Sequence, residues 1–548
     1  MMQILIILLV TIWAVGTCYR LYLLARFYQI EEYKSGRFIR WLFQSRQRYL
    51  PTRPAVAALL GVLFQLFFAE GGVFLPLVIG LIAGLTAIYP PAKSEVKKKF
   101  IPTARAKRLL VASCTIAVLV AFLLYLTASK LQHVSETITF GAITVGGAAI
   151  FLLAPFWLMI GNMLMTPVEA FLRRRFVNTA RKVLEETRPM VIGITGSYGK
   201  TTTKSFVAHI LNGRYKTYPT PKSYNTLMGI CLAINRDLAN DRSIEYFIAE
   251  MGAYIPGEIK QIAELTHPTQ GILVEIGPQH LERFGSIENV AIAKYELISA
   301  LPPDGVAYFN WDNPHVRTAY ERGYPQTRIA VSRQIDLENT PANGPRFIAS
   351  NVKETLEGLS FLVTDIETNE TQEFFTPIHG LHNVTNLLLA SAVAVHEGMA
   401  LKEIARRVST LQPAESRLAI QITQAGITII NDAYSANPVG AYSALNTLKL
   451  YEHGRRLLIT PGMVELGELM ESENRRLGEA AVTAATDIIL VGDQQTKAFQ
   501  DGLRAAGFPV ERWQVVETLS DAIKWYQCNL SAGDTVLFLN DLPDTYLH

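Results

Sequence analysis

Hydrophobic residues are unevenly distributed along the chain, and the first third contains five long apolar runs with almost no charge. These runs are Met1–Tyr19, Ala55–Ala69, Gly71–Ala92, Leu109–Ser129 and Thr137–Val168. A helix needs about 20 apolar residues to cross a hydrocarbon core, and every run except the short second one meets that length. The first run lacks a basic leading segment and a small-residue cleavage site, and further runs follow it. We therefore interpret it as a retained membrane anchor.

Basic residues between the runs predict the orientation of the membrane segment. Residues 20–53 and 93–108 are rich in positive charge, from Arg37, Arg40, Arg46, Arg48, Lys97, Lys98, Lys99, Arg105, Lys107 and Arg108 among others. Loops of this kind face the cytoplasm. Two inside loops require an even number of crossings between them, so residues 55–92 are predicted to form a two-span hairpin with its outer turn at Glu70-Gly71-Gly72. The resulting prediction is five spans in the plasma (inner) membrane, with everything after residue 168 in the cytoplasm.

Residues 170–187 predict a basic linker helix with one apolar face. That face consists of Phe171, Leu172, Phe176, Val177, Ala180, Val183 and Leu184. Such a helix can lie in the membrane interface with its arginines on anionic headgroups. It can equally pack its apolar stripe against the domain that follows, and the sequence leaves both interpretations open.

After residue 188 the pattern changes to alternating strands and helices, which predicts an α/β fold with mostly parallel sheets. We predict a membrane segment at 1–169, the linker helix at 170–187, a P-loop ATPase domain at 188–412 and a Rossmann-like C-terminal domain at 413–548. A small β excursion is expected at 346–378, and Gln412-Pro413 resembles a hinge.

Composition adds little beyond this division. The chain has 548 residues, a net charge of +3 and 49% hydrophobic residues, and its length predicts three or four domain-sized units. Its four cysteines lie far apart without a CxxC pair, which argues against a structural zinc site and gives no support for a disulfide framework. We expect a reducing cytoplasmic environment for the α/β part and no nucleic-acid partner.

The clearest chemical motif is VIGITGSYGKTTTK at residues 191–204. A short apolar strand, a glycine-flanked turn and a lysine at a helix start are the layout of a phosphate-binding loop. The general P-loop pattern would have glycine at position 194, where this chain has Ile194, so the motif is the tighter GxxGK[ST]T form. The predicted nucleotide-binding residues of the loop are Gly196, Ser197, Gly199, Lys200, Thr201 and Thr202.

A magnesium–phosphate site also needs carboxylates and other oxygen ligands at the same place. Glu250 ends the apolar strand Tyr246–Glu250 and is the best candidate. Taken alone, His280 is an ordinary loop histidine and Lys294 an ordinary helix-surface lysine.

Several motifs taken together change the interpretation of His280 and Lys294, because from about residue 190 to 500 the chain resembles the Mur ligases. Within that family it is most similar to the members that add D-alanyl-D-alanine to the peptidoglycan precursor. The motifs are GITGSYGKTTTK, IAEMGAY, HLERFGSIENVAIAKYELISALPPDGVAYFNWDNP, GLHNVTNLLLASA, ESRLAI, NDAYSANP and GMVELGE. The resemblance implies ATP-dependent amide formation through an acyl phosphate, with Mg²⁺ as cofactor.

The resemblance also implies roles around the phosphates and metal. Lys200 and the loop backbone would hold the β- and γ-phosphates, and Thr201 would bind Mg²⁺. Glu250 and His280 would serve magnesium, His280 at a second ion. Lys294 would be carbamylated by CO₂, which turns a cation into a metal-binding anion.

Further roles implied by the resemblance concern the nucleoside and the substrates. Asn383 and Asn386 would lie on the adenine side, Asp432 at the ribose, and Arg417 at the phosphates across the hinge. Asn225 would lie near the acceptor carboxylate. In the same way, Tyr434 belongs to a family motif near the substrate. The alternative interpretation is that Tyr434 only packs the turn structurally.

The chain departs from the family at both ends. Membrane runs occupy the place of the N-terminal UDP-sugar-binding domain, and the C-terminus reads LFLNDLPDTYLH where a lysine–glycine–serine motif is usual. The acceptor, expected to be a small-molecule or lipid-linked envelope precursor, and the added amino acid or dipeptide therefore stay open. Alternatives are a poly-γ-glutamate-type ligase and a nucleotide-switched transporter or scaffold. The near-absence of ionisable residues in the runs favours anchoring over transport, and a lipid groove remains open.

Overall fold

The computed structural model describes residues 2–44, 46–67, 74–89, 100, 102–133, 135–221, 224–279, 281–412, 417–433, 437–464 and 466–540. The chain forms two compact units, Met1–Arg175 and Phe176–His548. The boundary between them falls inside one long helix.

The first unit consists of helices. Their bounds are α1 Met2–Ile30, α2 Ser35–Phe43, α3 Arg46–Tyr49, α4 Thr52–Phe67, α5 Phe74–Ile88, α6 Ala104–Leu131, α7 Glu136–Leu152 and α8 Ala154–Thr187. Helix α7 packs against α1, α4, α5 and α6 and so lies at the centre of the unit. Its buried side chains join those of α1 in one apolar core, which includes Ile6, Leu9, Trp13, Phe140, Ile143 and Phe151.

The described residues of the five apolar runs are mostly helical, but five simple spans are not evident among them. Among the described residues, two helices, α1 and α6, are long and apolar enough to cross a membrane, and a third span results if the bent pair α7 and α8 counts as one. Helices α4 and α5, with 16 and 15 residues, are shorter. The predicted turn at Glu70-Gly71-Gly72 lies outside the described residues.

The run Thr137–Val168, predicted as one span, is instead divided at Leu153 into α7 and α8, with a bend of 57°. A helix break leaves carbonyl groups without intrahelical partners. Here the Arg20 guanidinium donates to the Phe151 carbonyl at 2.7 Å, and the Trp157 indole N–H donates to the Ile150 carbonyl at 2.9 Å. These two side chains satisfy the exposed carbonyls and stabilise the bend.

The predicted linker helix at 170–187 is the end of α8 and not a separate element. Ala180 is fully buried in an apolar core of the second unit, and Phe176, Val177, Val183 and Leu184 pack against the same core. From residue 176 onward, this packing favours the interpretation that the apolar face packs against the domain that follows, and not that it lies in the membrane interface.

The second unit begins with a nine-stranded sheet in the order β2-β3-β1-β4-β5-β6-β7-β8-β9. The strands are β1 Met190–Thr195, β2 Thr217–Pro219, β3 Tyr246–Glu250, β4 Gln270–Leu273, β5 Val306–Asn310, β6 Thr327–Ser332, β7 Phe347–Thr355, β8 Gly358–Asp365 and β9 Glu370–Thr376. Strands β1 to β7 pair in parallel, whereas β8 and β9 are antiparallel. Strands β7 to β9 lie in the segment 346–378, where a small β excursion is predicted.

Helices cover both faces of this sheet. They are α9 Lys200–Leu211, α10 Leu227–Arg236, α11 Glu258–Thr266, α12 Leu281–Phe284, α13 Ile287–Ser299, α14 Pro314–Glu321, α15 His382–His396 and α16 Leu401–Val408. Helices α9, α15 and α16 share one core, and α10, α11, α13 and α14 share the other. Adjacent residues of β1 divide between these cores, since Val191 belongs to one and Ile192 to the other.

A second, six-stranded sheet follows in the order β10-β11-β15-β12-β13-β14. Its strands are β10 Ala419–Ile422, β11 Thr428–Asp432, β12 Arg456–Thr460, β13 Asp487–Val491, β14 Trp513–Val516 and β15 Thr535–Leu539, and its helices are α17 Pro438–Lys449, α18 Met470–Ala484, α19 Asp493–Ala505 and α20 Leu519–Asn529. Only β10 is antiparallel to its neighbour. The predicted parallel α/β architecture is confirmed. The proposed domain boundaries stay predictions.

Candidate active site

The loop between β1 and α9 has the backbone that its glycines predict. Gly199 has a φ of +76°, which side-chain-bearing residues rarely adopt. A Cβ on Gly199 would lie 2.7 Å from Val274 Cγ1 and 2.8 Å from Asn386 Oδ1. Glycine is therefore required here both by conformation and by space.

Hydrogen bonds attach the loop to the chain that follows β4. The Ser197 N–H donates to the Glu275 carbonyl at 2.7 Å. The Ser197 hydroxyl donates to the Gly277 carbonyl at 2.9 Å and accepts from the Gly277 N–H at 3.0 Å. These bonds hold the loop in place at the carboxyl edge of the parallel strands.

The Lys200 side chain folds back over the loop. Its ammonium donates to the carbonyls of Gly196 at 2.7 Å and Ser197 at 3.0 Å. Burial lowers the pKa of Lys200 to about 8; the Glu250 carboxylate opposes this shift and the positive charge of Arg417 adds to it. The loop thus places one lysine where phosphate oxygens would replace backbone carbonyls as its partners.

Glu250 is the centre of the polar cluster. It is 1% exposed, and its Oε1 accepts from the Thr201 hydroxyl at 3.1 Å and from the Asn225 amide at 3.2 Å. Its Oε2 accepts from the Lys204 ammonium at 2.9 Å. Burial alone would raise the pKa of Glu250, but the charges of Lys204 and Lys200 outweigh it and lower the pKa below its usual value.

The strand register explains why these residues meet. Strands β1 and β3 are parallel neighbours, and Ile194 pairs with Glu250. The last residue of β3 therefore lies beside the start of the loop. The structure brings together Lys200, Thr201, Glu250 and Asn225, as the prediction requires.

Asn383 and Asn386 lie on α15, on the other side of the loop. The Asn383 amide donates to the His379 carbonyl at 2.7 Å, and the Asn386 amide donates to Asn383 Oδ1 at 3.0 Å. Asn386 Oδ1 also accepts from the Thr203 hydroxyl at 3.2 Å. Their side chains thus connect α15 to α9 under the loop, and their contact with adenine stays a prediction.

Lys294 is not the surface residue that a lone helix lysine suggests. Its side chain is 3% exposed, and its ammonium lies 5.6 Å from the centre of the Phe284 ring. Burial and the charge of Lys200 lower its pKa well below the usual value, against the opposing effect of Glu258 and Glu296. Among the described residues, none makes a hydrogen bond to this ammonium.

Arg417, just before the C-terminal sheet, acts electrostatically on this region, and Asp432 lies in that sheet. The positive charge of Arg417 contributes to lowering the pKa of Lys200 and that of the buried His382. Asp432 ends β11, is 3% exposed, and accepts from the Leu418 N–H at 3.0 Å. Thr202 is half-buried and makes no side-chain hydrogen bond within the described part of the chain.

Two predicted residues, His280 and Tyr434, lie outside the described residues, so their roles stay predictions. Within the residues that the structure describes, no group of three or more His, Cys, Asp or Glu side chains could hold a metal. A magnesium ion bound through one carboxylate and substrate phosphates does not need such a group.

Sequence reasoning missed Lys204 and Glu275. Lys204 is four residues after Lys200, so it lies on the same face of α9, and that spacing was the available signal. Glu275 follows β4, and its carboxylate accepts from the Asn310 amide at 2.8 Å and from the Asn313 amide. Burial raises the pKa of Glu275 to about 7. No motif pointed to it.

A phosphate-binding loop, a buried carboxylate beside it and a second parallel α/β sheet define the class of nucleotide-dependent α/β enzymes. Two family models match this chain: Mur ligase middle domain over residues 194–394, and Mur ligase, glutamate ligase domain over residues 416–540. The chain belongs to the Mur ligase family and is an ATP-dependent ligase that forms amide bonds.

Similar proteins agree with this assignment. The UDP-N-acetylmuramoyl-tripeptide–D-alanyl-D-alanine ligase of Bacillus subtilis (strain 168) is 31% identical over 360 residues, covering 66% of this chain and 74% of that protein. The Escherichia coli (strain K12) ligase of the same name is 30% identical over 327 residues, covering 60% and 69%.

Solved structures show the same fold. A crystal structure of MurF from Acinetobacter baumannii has a TM-score of 0.58 at 24% identity, covering 69% of this chain and 78% of that one. MurF from Thermotoga maritima, in complex with ADP, has a TM-score of 0.57 at 20% identity, covering 67% and 80%.

Proposed function

We propose that this chain is a membrane-anchored ligase of cell-envelope precursor synthesis. It would join a carboxylate of a peptidoglycan-type precursor to the amine of an amino acid or dipeptide, through an acyl phosphate. The observation that carries the proposal is the convergence of Lys200, Thr201 and Glu250 at the carboxyl edge of the parallel sheet. The relatives are named as ligases of a UDP-N-acetylmuramoyl-tripeptide and D-alanyl-D-alanine. These names supply the substrate class.

The loop fits the phosphates of ATP. Gly199 adopts the positive φ that the loop requires, and α9 begins directly after it, so backbone N–H groups and the helix dipole face the loop. Lys200 adds a positive charge. Its ammonium donates to the carbonyls of Gly196 and Ser197, which phosphate oxygens would replace as its partners. Phosphoryl transfer depends mainly on such charge neutralisation and alignment.

The oxygen donors beside the loop fit magnesium. The Thr201 hydroxyl and the Glu250 carboxylate lie 3.1 Å apart, a hydroxyl and an anionic oxygen of the kind that Mg²⁺ prefers. When bound, Mg²⁺ neutralises the charge on the phosphates and lowers the barrier to their transfer. Thr201 and Glu250 would hold the ion, and His280 stays a predicted ligand for a second one.

The reaction then has two balanced steps. The acceptor carboxylate oxygen forms a bond to the γ-phosphorus of ATP while the bond from that phosphorus to ADP breaks. The incoming amine then forms a bond to the acyl carbon, the carbon–oxygen bond to phosphate breaks, and the amine loses one proton. Asn225, whose amide points to Glu250 Oε1, would orient the acceptor next to the metal.

The second sheet would complete the site on closure. Arg417 would add positive charge at the phosphates and Asp432 would bind the ribose. An acyl phosphate is hydrolysed by water, so a domain that covers the site during the reaction protects the intermediate.

Lys294 fits a carbamate. Its burial and lowered pKa favour the neutral amine, which can attack CO₂. A nitrogen–carbon bond forms as one carbon–oxygen π bond of CO₂ opens, the nitrogen loses one proton, and the neutral amine becomes an anion able to face a metal. The modification stays a prediction.

The proposed anchor is the helical unit, with its catalytic part in the cytoplasm. Helices α1 and α6 support at least two crossings, and the basic loops favour an inside location for residues after 168. A five-span topology remains part of the proposal, and so does the plasma membrane as location. A membrane location would suit a lipid-linked acceptor as well as a soluble one.

The proposal is tested by ADP release from the detergent-solubilised protein. The panel combines UDP-N-acetylmuramoyl-peptides and lipid-linked precursors with single amino acids, D-alanyl-D-alanine and glutamate. Release of ADP and phosphate that requires both an acceptor and an amine, with the amide product found by mass spectrometry, is expected. ATP hydrolysis independent of every acceptor and amine would contradict a ligase function for this site, and polymerisation of glutamate would favour the poly-γ-glutamate type.

A further inference from the structure

Helix α9 carries a second lysine whose contacts differ from those of Lys200. We infer that Lys204 is a positioning residue, which fixes the Glu250 carboxylate in the orientation that metal binding requires. The inference rests on the proposed function, in which Glu250 is a magnesium ligand.

The Lys204–Glu250 contact is a buried ion pair. The ammonium lies 2.9 Å from Glu250 Oε2, and the two side chains are 5% and 1% exposed. Taking both charges out of water is costly, so a pair of this kind adds little net stability compared with apolar residues. Its presence at the site is better explained by what it does to the orientation of Glu250.

The two lysines of α9 have separate partners. Lys200 donates to the loop carbonyls of Gly196 and Ser197, at the position proposed for phosphate. Lys204, one turn later on the same face, donates to Glu250. One lysine is therefore directed at the nucleotide and the other at the carboxylate.

The remaining contacts leave Glu250 little freedom. Lys204 holds Oε2, while Thr201 and Asn225 both donate to Oε1. A carboxylate anchored through Oε2 presents Oε1 beside the Thr201 hydroxyl, where the two oxygens can bind one ion. Among the described residues, no side chain other than Lys204 makes a hydrogen bond to Glu250 Oε2. Ligands held by supporting residues in this way keep their geometry during catalysis.

The test is a double-mutant cycle in the full-length protein, with Lys204→Met, Glu250→Gln and the combined variant. Because Lys204 acts through Glu250, Lys204→Met should lower kcat about 100-fold, the loss that a misplacement of about 1 Å can cause. The KM for ATP should change by less than about 3-fold, since nucleotide binding relies on the loop. The combined variant should be no less active than Glu250→Gln alone, because the effects of residues that act as a unit do not add.

A matched control is Lys216→Met. The Lys216 side chain is 52% exposed and pairs with Asp241 on the surface of the same unit, so its loss should leave kcat unchanged. Lys204→Met activity equal to that of this control would overturn the inference. Losses that multiply in the combined variant would also overturn it, because Lys204 would then act independently of Glu250.

A second readout does not depend on turnover. The electron paramagnetic resonance spectrum of Mn²⁺ bound with ADP should change in Lys204→Met in the same direction as in Glu250→Gln, and stay unchanged in Lys216→Met. An unchanged Lys204→Met spectrum would contradict a positioning role. If Lys204→Met does not fold, Lys204→Ala removes the donor with a smaller side chain, and wild-type kcat and spectrum in that variant would equally contradict the positioning role. Full turnover in Glu250→Gln would instead contradict the proposed function.

Discussion

The Thr201 hydroxyl and Glu250 Oε1 lie 3.1 Å apart, although the two residues are separated by 49 positions in the chain. Thr201 is in the first turn of α9, and Glu250 is the last residue of β3. The parallel pairing of β1 with β3 brings them together, since Ile194 is the register partner of Glu250. The oxygen ligands proposed for magnesium are thus placed by strand order.

Lys200→Ala is expected to abolish substrate-dependent ATP turnover. Loss of the charge that faces the phosphates should cost about 1,000-fold or more in kcat. The protein should remain folded, because Lys200 bonds only to loop carbonyls in the described structure. ADP release and thermal unfolding are measured together, and turnover like the wild type would contradict the assignment of the loop.

Lys294→Ala should be nearly inactive, and acetate or formate should restore part of the activity by placing a carboxylate in the vacated space. The physical reason is that a carbamate, and not an ammonium, is expected to face the metal ions. Lys260→Ala is the control, since Lys260 is 67% exposed. Full ligation by Lys294→Ala without added acid would show that the carbamate prediction is wrong.

Glu275 should make the stability of the second unit depend on pH. Burial raises its pKa to about 7 in the folded protein. The pKa of an unfolded Glu is about 4.3, so between these values the unfolded chain releases a proton that the folded chain retains. Its contribution to the free energy of unfolding therefore falls as pH rises through this window, by about 4 kcal/mol, and is constant above it.

Glu275→Gln removes this dependence. From pH 5 to pH 8, the free energy of unfolding of the variant should rise relative to that of the wild type. Thermal unfolding of both proteins at the two pH values measures this difference. Parallel pH dependence of Tm in the two proteins would mean that Glu275 titrates normally.

The end of α8 should be part of the folded second unit. Ala180 is fully buried there, so Ala180→Asp places an unpaired charge in the core and should lower the free energy of unfolding by about 3 kcal/mol or more. Tm should fall by about 5 °C or more. Lys182→Ala, at an exposed position of the same helix, is the control. Equal Tm values for the two variants would favour the membrane-interface interpretation.

The membrane topology predicts opposite locations for reporters on the two sides. A reporter fused after Arg175 should be cytoplasmic, whereas reporters at Gly71 and His133 should be outside. The accessibility of each reporter to an impermeant reagent in intact cells measures this. A cytoplasmic Gly71 reporter would show that residues 55–92 do not form a two-span hairpin.

The sequence alone determined the elements whose signals are local. The glycines, the lysine and the flanking strand and helix of residues 191–204 lie next to one another in the chain, so their pattern predicted the loop directly. The apolar run Tyr246–Glu250 similarly predicted β3, which has the same bounds in the structure. The edge strand β10, Ala419–Ile422, has four residues, too few for a periodic pattern to predict it from the sequence.

Only the tertiary structure decided which side chains meet and which are buried. Lys204 pairs with Glu250 because β3 is the neighbour of β1, although β2 follows β1 in the chain. Lys294 is a buried amine, and not a surface charge, because α13 packs against the sheet. The bend at Leu153 likewise depends on Arg20, which is 131 residues from the carbonyl it binds. Contacts between distant segments follow from strand order and packing, which no local pattern of residues specifies.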